Sequence, residues 1–235
     1  MSLARKTLNL LVPANVRASL KTAYRERVFR RAMRKFLKDP EGSIAPGNRV
    51  IADLIYGWGN EDWSALDDYL IGCIKQAMQA DGPILECGSG LSTILVGAVA
   101  KSRGVKLWAL EHTPDWAKKV RHTLDDYRIN SVTLCAKPLK DFGEFDWYDA
   151  PLESMPDRFG FVICDGPPGV TKGGRYGLVP VMNGRLKPGC TIFLDDAGRE
   201  QEQEIARRWE GELNASSEMI GAAKPYVRLT VGSRN

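Results

Sequence analysis

Apolar positions along this chain change their period twice. From about Ala14 to Leu37 they recur every three to four residues: Val16, Leu20, Tyr24 and Val28, then Phe29, Met33, Phe36 and Leu37. That spacing lays one stripe along a helix. Asp39-Pro40-Glu41-Gly42-Ser43 and Ala45-Pro46-Gly47 break the pattern and read as a linker. A second helical stretch is expected from about Trp63 to Ala80, stopped by Asp81-Gly82-Pro83. Between the two lies an aromatic and glycine cluster, Tyr56 to Trp63, that reads either as a packed turn or as a lid. Beyond Pro83, short unbroken apolar runs alternate with helical periods. Strands are expected at 83–87, 105–110, 131–135, 159–164 and 189–194, and helices at about 91–102, 114–126, 175–186 and 199–210. Two closing strands, 214–220 and 225–232, meet at Ala222-Ala223-Lys224-Pro225. Unbroken apolar strands alternating with helices predict an α/β fold, with a mostly parallel sheet covered on both faces.

Composition changes this picture little. The chain has 235 residues, 43% of them hydrophobic and 26% charged, enough for one full core plus an extension. No run of 18 apolar residues exists, so no spanning helix is expected, and the N-terminal apolar run is too short and broken for a signal peptide. Five cysteines (Cys73, Cys87, Cys135, Cys164 and Cys190) form no CxxC pair and no metal spacing. Most fall in expected strands, which predicts buried reduced thiols and a cytoplasmic protein.

Charge changes it more. Residues 1–38 carry 11 Lys or Arg against the single acid Glu26, a balance of +10, and the remainder carries −6. Residues 1–45 therefore read as a basic amphipathic helical arm and linker, and 46–235 as the second domain. Arg25, Arg27, Arg30, Arg31, Arg34 and Lys35 crowd the arm. Either the arm docks by its stripe and leaves a solvated basic face, or residues 14–38 meet a membrane surface or a protein, making the molecule peripheral at the membrane. A nucleic-acid partner is the least favoured.

The candidate chemistry begins at Ile84-Leu85-Glu86-Cys87-Gly88-Ser89-Gly90-Leu91-Ser92-Thr93. A buried strand ends in an acid, passes through Gly-x-Gly, and opens a helix. Glycines let the backbone approach a ligand closely, and the free N–H groups of the helix supply donors. A dinucleotide fingerprint wants a third glycine or alanine where this chain has Thr93, and the carboxylate of Glu86 would sit badly against a pyrophosphate. Near an ammonium or sulfonium it would sit well. The next expected strand ends at Glu111, 21 residues past Gly90, the reach of a carboxylate that grips ribose hydroxyls. Ser89, Ser92 and His112 flank these acids as further cofactor-binding candidates.

In ILECGSG, LWALEH, FVICDGPPG and TIFLDDAGR the chain resembles the class I S-adenosylmethionine (SAM)-dependent methyltransferases over roughly Pro83 to Asp196. The resemblance implies a Rossmann-like, doubly wound, seven-stranded sheet with a closing edge hairpin, here with an N-terminal helical extension. It implies SAM as cofactor and a small-molecule or saccharide acceptor. Asp165 ends one strand, and Asp195-Asp196 end another 30 residues later. On neighbouring strands, about 4.8 Å apart, the three carboxylates converge and need a positive charge among them. The resemblance to cation-dependent, sugar-type O-methyltransferases implies Mg²⁺ held by Asp165, Asp195 and Asp196; metal-free members also end these strands in acids, which cap helices or bind substrate directly, and both readings stay open. The family's lysine just beyond the first ligand is missing. That leaves Lys172 or Asp165 as catalytic base, with Arg175 and Tyr176 as acceptor-binding candidates, although Arg175 reads equally well as a partner of the nearby acids. The segment Pro138–Asp157 reads as a long loop whose aromatics either wall a pocket or anchor the loop. No acid follows the third strand to meet an adenine amino group. Two other readings stay open: an NAD(P)-dependent Rossmann oxidoreductase, and a non-catalytic module that binds SAM or a nucleotide.

Overall fold

The computed structural model describes residues 13–59, 67–222 and 224–233. The chain divides into two compact units, Met1–Asp67 and Asp68–Asn235. In the first, helix α1 (Ala14–Lys38) is followed by the single turn α2 (Pro40–Ser43) and by α3 (Val50–Trp58). The expected linker at 39–43 is thus mostly helical. Asp39 supplies the reason, because its carboxylate accepts from Gly42 N at 2.9 Å and caps the turn. Phe29, Ala32, Met33 and Phe36 form the buried face of α1, and Val50, Ile51, Leu54 and Trp58 that of α3. The two helices pack tightly at Gly57, where a Cβ would come 2.7 Å from the Cβ of Phe29. This packing carries α3 into the first unit, although the sequence boundary at residue 45 places it with the body. The stripe is not buried along its whole length: Val16, Leu20 and Tyr24 are exposed. Tyr56, Gly57 and Trp58 end α3, and the rest of the Tyr56–Trp63 cluster, beyond Gly59, lies outside the described residues.

The second unit begins its sheet after α4 (Asp67–Gln79), which covers the described part of the helix expected at 63–80. Strands β1 (Ile84–Cys87), β2 (Leu107–Glu111) and β3 (Val132–Ala136) alternate with α5 (Leu91–Arg103) and α6 (Pro114–Asp126). A small hairpin, β4 (Leu139–Asp141) and β5 (Asp146–Tyr148), precedes β6 (Phe159–Cys164). Then come the short α7 (Leu178–Met182), β7 (Leu186–Leu194), α8 (Glu200–Leu213), β8 (Ser216–Ile220) and β9 (Tyr226–Thr230). The seven-stranded sheet runs β3-β2-β1-β6-β7-β9-β8, parallel except where β9 runs antiparallel to β7 and β8. Helices cover both faces, so this is the doubly wound Rossmann-like sheet with an N-terminal helical extension. All four residues of β1 are buried, as an unbroken apolar run predicts.

Two expectations need correction. Pro138–Asp157 is not a featureless loop: β4 and β5 pair antiparallel, and Leu152–Ser154 makes a 3₁₀ turn. Phe145, Trp147 and Tyr148 are buried, which makes them anchors, whereas Phe142 stays exposed. The helix expected at 175–186 shrinks to Leu178–Met182 and a 3₁₀ turn over Asn183–Arg185. Pro180 has no N–H to give and is tolerated only in a first helical turn, so the helix starts beside it and Gly184 weakens its continuation.

Trp209 is fully buried on α8, and its indole N–H donates to Tyr176 O at 3.2 Å. Replacing Trp209 with Ala removes that bond and opens a large cavity. The expected loss is about 3–5 kcal/mol, measurable by urea denaturation against Trp209→Phe, which keeps most of the volume.

Candidate functional site

Strand order turns back on itself at β1, with β2 on one side and β6 on the other, and ligands in such sheets sit outside the carboxyl ends at that reversal. The ladder bonds continue one step past the strands. Gly88 N donates to Leu110 O at 2.9 Å, Asp165 N to Cys87 O at 3.1 Å, and Asp195 N to Cys164 O at 3.1 Å. Glu111, Gly88, Asp165 and Asp195 therefore stand side by side along one edge, on four neighbouring strands.

The glycine turn occupies the middle of this row. Gly88 has φ 102°, a left-handed conformation that favours glycine, and a Cβ there would come 3.4 Å from Gly166 N. At Gly90, which opens α5, a Cβ would meet nothing within 4 Å, so the turn faces open space. Thr93 is buried where a third glycine was absent, and its hydroxyl accepts from Gly90 N at 2.8 Å. Ser92 Oγ donates to Glu86 Oε1 at 2.5 Å, and Ser89 Oγ donates to Glu111 Oε2 at 2.6 Å. Glu111 Oε1 accepts from the backbone N–H groups of His112 and Thr113 at 2.8 and 2.7 Å. The structure thus brings together Glu86, Gly88, Ser89, Gly90, Ser92, Glu111 and His112. It adds Trp116, whose indole donates to Ser89 O at 2.7 Å. Nothing in the spacing of the sequence marked Trp116, since it sits in α6 without a motif.

Glu86 Oε2 is buried without a hydrogen-bond partner among the described residues. Burial pushes the Glu86 carboxyl up to about 7, opposed by the Ser92 and Thr93 bonds and raised further by Glu111. A buried acid beside an open glycine turn, with no paired cation among the described residues, suits a positively charged ligand. Glu111 suits a ribose, because a ribose hydroxyl is the same kind of donor as Ser89 Oγ. The residues present fit the SAM expected from the sequence.

The acidic cluster is built differently from the expectation. Oxygens of Asp165, Asp195 and Asp196 do lie within 4.8 Å of one another. The positive charge among them is Arg175, 2% exposed. Its Nη2 donates to Asp165 O at 3.0 Å, to Asp165 Oδ1 at 3.1 Å and to Asp196 Oδ2 at 2.8 Å, and its Nη1 to Asp195 O at 2.6 Å. Lys224 Nζ reaches Asp195 Oδ2 at 3.0 Å and Asp196 Oδ1 at 3.1 Å. Arg199 reaches Asp196 Oδ2 at 3.0 Å and the buried Glu202 at 3.7 Å. Four carboxylates thus face three cations. Burial works against charge on Arg175 and Lys224, but the surrounding carboxylates outweigh it and hold both pKa values above their usual range. The surplus negative charge falls on Asp165 and Glu202, whose carboxyls burial pushes up, Asp165 further through Asp195. Asp196, in a left-handed conformation at φ 59°, is held low because Arg175 and Lys224 overcome its burial.

Other sequence candidates lie elsewhere. Arg175 is bonded to the acids of the cluster. Lys172 pairs with Asp141 at 3.3 Å on the hairpin. The Tyr176 hydroxyl donates to Glu212 at 2.8 Å, and Arg208 stacks 3.6 Å over its ring. Two further residues stand at the site, Lys224 without a signal of its own and Tyr148 as one of the loop aromatics. Lys224 reads in sequence as part of a hairpin turn. Tyr148 has a buried hydroxyl, unpartnered among the described residues, against which a Cβ on Gly166 would collide.

The Glu86 shift makes a stability prediction for the ligand-free protein. An acid raised from 4.5 to about 7 costs nothing below pH 4.5, where it is protonated in both states, and costs most above pH 7. At 1.36 kcal/mol per pK unit the cost approaches about 3 kcal/mol. Glu86→Gln is therefore expected to be more stable than wild type at pH 8, with the difference fading towards pH 5, in paired urea denaturation curves.

No protein-family model matches the chain, and a search of the curated proteins finds no relative. Solved structures do match. An S-adenosylhomocysteine (SAH)-bound methyltransferase of Podospora anserina aligns over 95% of this chain and 98% of its own, at 13% identity and TM-score 0.59. An O-methyltransferase of Bacillus cereus in complex with SAH aligns over 82% and 96%, at 15% identity and TM-score 0.55. The O-methyltransferase TomG of Streptomyces achromogenes, in complex with SAM, aligns over 73% and 83%, at 15% identity and TM-score 0.51. At these identities the likeness is one of fold, and the chain has the fold of the class I SAM-dependent methyltransferases.

Proposed function

We propose that this protein is a SAM-dependent methyltransferase that methylates a hydroxyl of a small molecule or saccharide. The observation that carries the reading is the row of Glu111, Gly88 and Asp165 across neighbouring strand ends, beside an open glycine turn and the unpaired buried oxygen of Glu86. O-methyltransferases among the structural neighbours support the reaction class. An oxidoreductase is not favoured, because Glu86 and Thr93 stand where a pyrophosphate site needs neither charge nor bulk.

In this assignment Glu111 and Ser89 bind the ribose, Glu86 and Ser92 face the charged amino-acid end, and Gly88, Gly90 and His112 shape the turn. When bound, SAM supplies a methyl group made electrophilic by its sulfonium. Asp165 is the base. Among the clustered acids its side chain is 31% exposed, against 10% for Asp196 and none for Asp195, so it is the one an acceptor reaches. Its raised pKa improves the match to a hydroxyl proton, and Arg175 positions it from behind. The acceptor oxygen loses its proton to Asp165 as it gains the methyl group. Because Lys172 pairs with Asp141, Tyr176 with Glu212 and Arg175 with the clustered acids, none of the three is given a proton to move in this assignment.

The donor set does not fit a resident Mg²⁺ as it stands. Arg175, Lys224 and Arg199 already meet the carboxylates, and a divalent ion would leave the cluster net positive. One feature favours the metal reading: Asp195 Oδ1 is buried without a hydrogen-bond partner among the described residues. Chelation decides between the two, since activity that survives EDTA supports the internal cations and activity restored by added Mg²⁺ supports the metal.

Calorimetric titration with SAH, with NAD⁺ as control, tests the cofactor. SAH is expected to bind and NAD⁺ not to, and Glu111→Ala is expected to abolish SAH binding. Asp165→Asn is expected to keep SAH binding while kcat on a responsive hydroxyl falls by about a hundredfold or more. Binding of NAD⁺ alone, or of neither ligand, overturns the assignment; SAH binding without turnover on any hydroxyl points to a binding module.

A further inference from the structure

The outer face of α1 combines two chemistries in one line. At about 100° per residue, Val16, Leu20 and Tyr24 fall in the same sector of the helix as Arg27, Arg31, Arg34, Lys35 and Lys38. The buried side chains Phe29, Met33 and Phe36 fall on the opposite side. The structure agrees with the wheel. Val16 is 43% exposed, Leu20 62% and Tyr24 60%, and the five basic residues are exposed as well. Glu26, the helix's one acid, lies outside the sector. The face therefore begins apolar and continues basic, unbroken by a carboxylate, over roughly 33 Å.

We propose that this face of α1 binds an anionic phospholipid surface. Charge complementarity selects the partner's sign, and the apolar residues select its kind. Exposed Leu20 and Tyr24 gain nothing from a phosphodiester backbone in water. At the boundary of headgroups and acyl chains they are buried, while the long basic side chains extend to the lipid phosphates. No described helix is long and apolar enough to cross a membrane, so the contact is one of lying on the surface. The helix is already folded, with its opposite side packed on α3, so ordering it costs no binding energy. Each cation near an anionic leaflet contributes about 1 kcal/mol, which is roughly fivefold in affinity.

The test is co-sedimentation of the full chain with two kinds of vesicle: phosphatidylcholine alone, and equal parts phosphatidylcholine and phosphatidylglycerol. The expected result is binding to the mixed vesicles only, weakened by salt. Arg27→Gln/Arg31→Gln/Arg34→Gln is expected to weaken it by roughly a hundredfold. Leu20→Ser/Tyr24→Ser is expected to weaken it clearly while leaving the charge unchanged. All five substitutions are at exposed positions, and circular dichroism checks that the helix content persists. Three results overturn the proposal: no binding to mixed vesicles, binding unaffected by Leu20→Ser/Tyr24→Ser, or binding to duplex DNA or RNA that exceeds binding to the mixed vesicles.

Discussion

A buried guanidinium holds this site together. Arg175 bonds to the backbone oxygens of Asp165 and Asp195 and to the side chains of Asp165 and Asp196, and so ties the ends of β6 and β7 to each other. Burying an arginine is costly unless its charge is matched. Here several carboxylates match it, and each would itself be costly to bury alone. Cations and anions are interdependent at this edge. Removing Arg175 would leave Asp165, Asp195 and Asp196 to repel one another, with Lys224 and Arg199 as the remaining counter-charges.

The two halves of the edge are electrostatically unlike. On the β7 side the acids are nearly matched by Arg175, Lys224 and Arg199. On the β1 side Glu86 has the Ser92 and Thr93 hydroxyls and, among the described residues, no cation, and burial pushes its carboxyl up to about 7. A positively charged ligand is therefore favoured at the glycine turn, while the cluster beyond it holds a carboxyl, Asp165, whose proton affinity burial and Asp195 raise. This asymmetry suits methyl transfer: cationic donor at one end, proton acceptor a strand or two away. The sheet register sets the separation, because Gly88, Asp165 and Asp195 each follow the last paired residue of a neighbouring strand.

Most of the fold was legible because the parallel strands carry unbroken apolar runs and end in glycine or acid. Residues 159–164 were expected and found as a strand, and α6 matches its expected limits at 114 and 126. The misread elements share a cause. At Pro138–Asp157 the pattern is short and aromatic, and a three-residue hairpin strand is too brief to show a period. At 175–186 an apolar helical pattern met Pro180, whose missing N–H allows only a short first-turn helix there.

By itself the sequence determined the α/β alternation, the glycine turn with its two flanking acids, the placement of Asp165 and of Asp195-Asp196 at strand ends, and the concentration of positive charge in the first helix. These are local properties, written in period, spacing and composition. Only the tertiary structure made those strand ends neighbours and picked out which of the chain's cations meet the acids. Arg175 lies ten residues beyond Asp165, and Lys224 lies in a turn between the last two strands. Which cation reaches which carboxylate depends on how β7 and β9 pair and on where the glycine-rich segment before α7 folds back. No spacing rule encodes that closure, because charge pairing acts through space between segments that the chain brings together only when the whole sheet has formed.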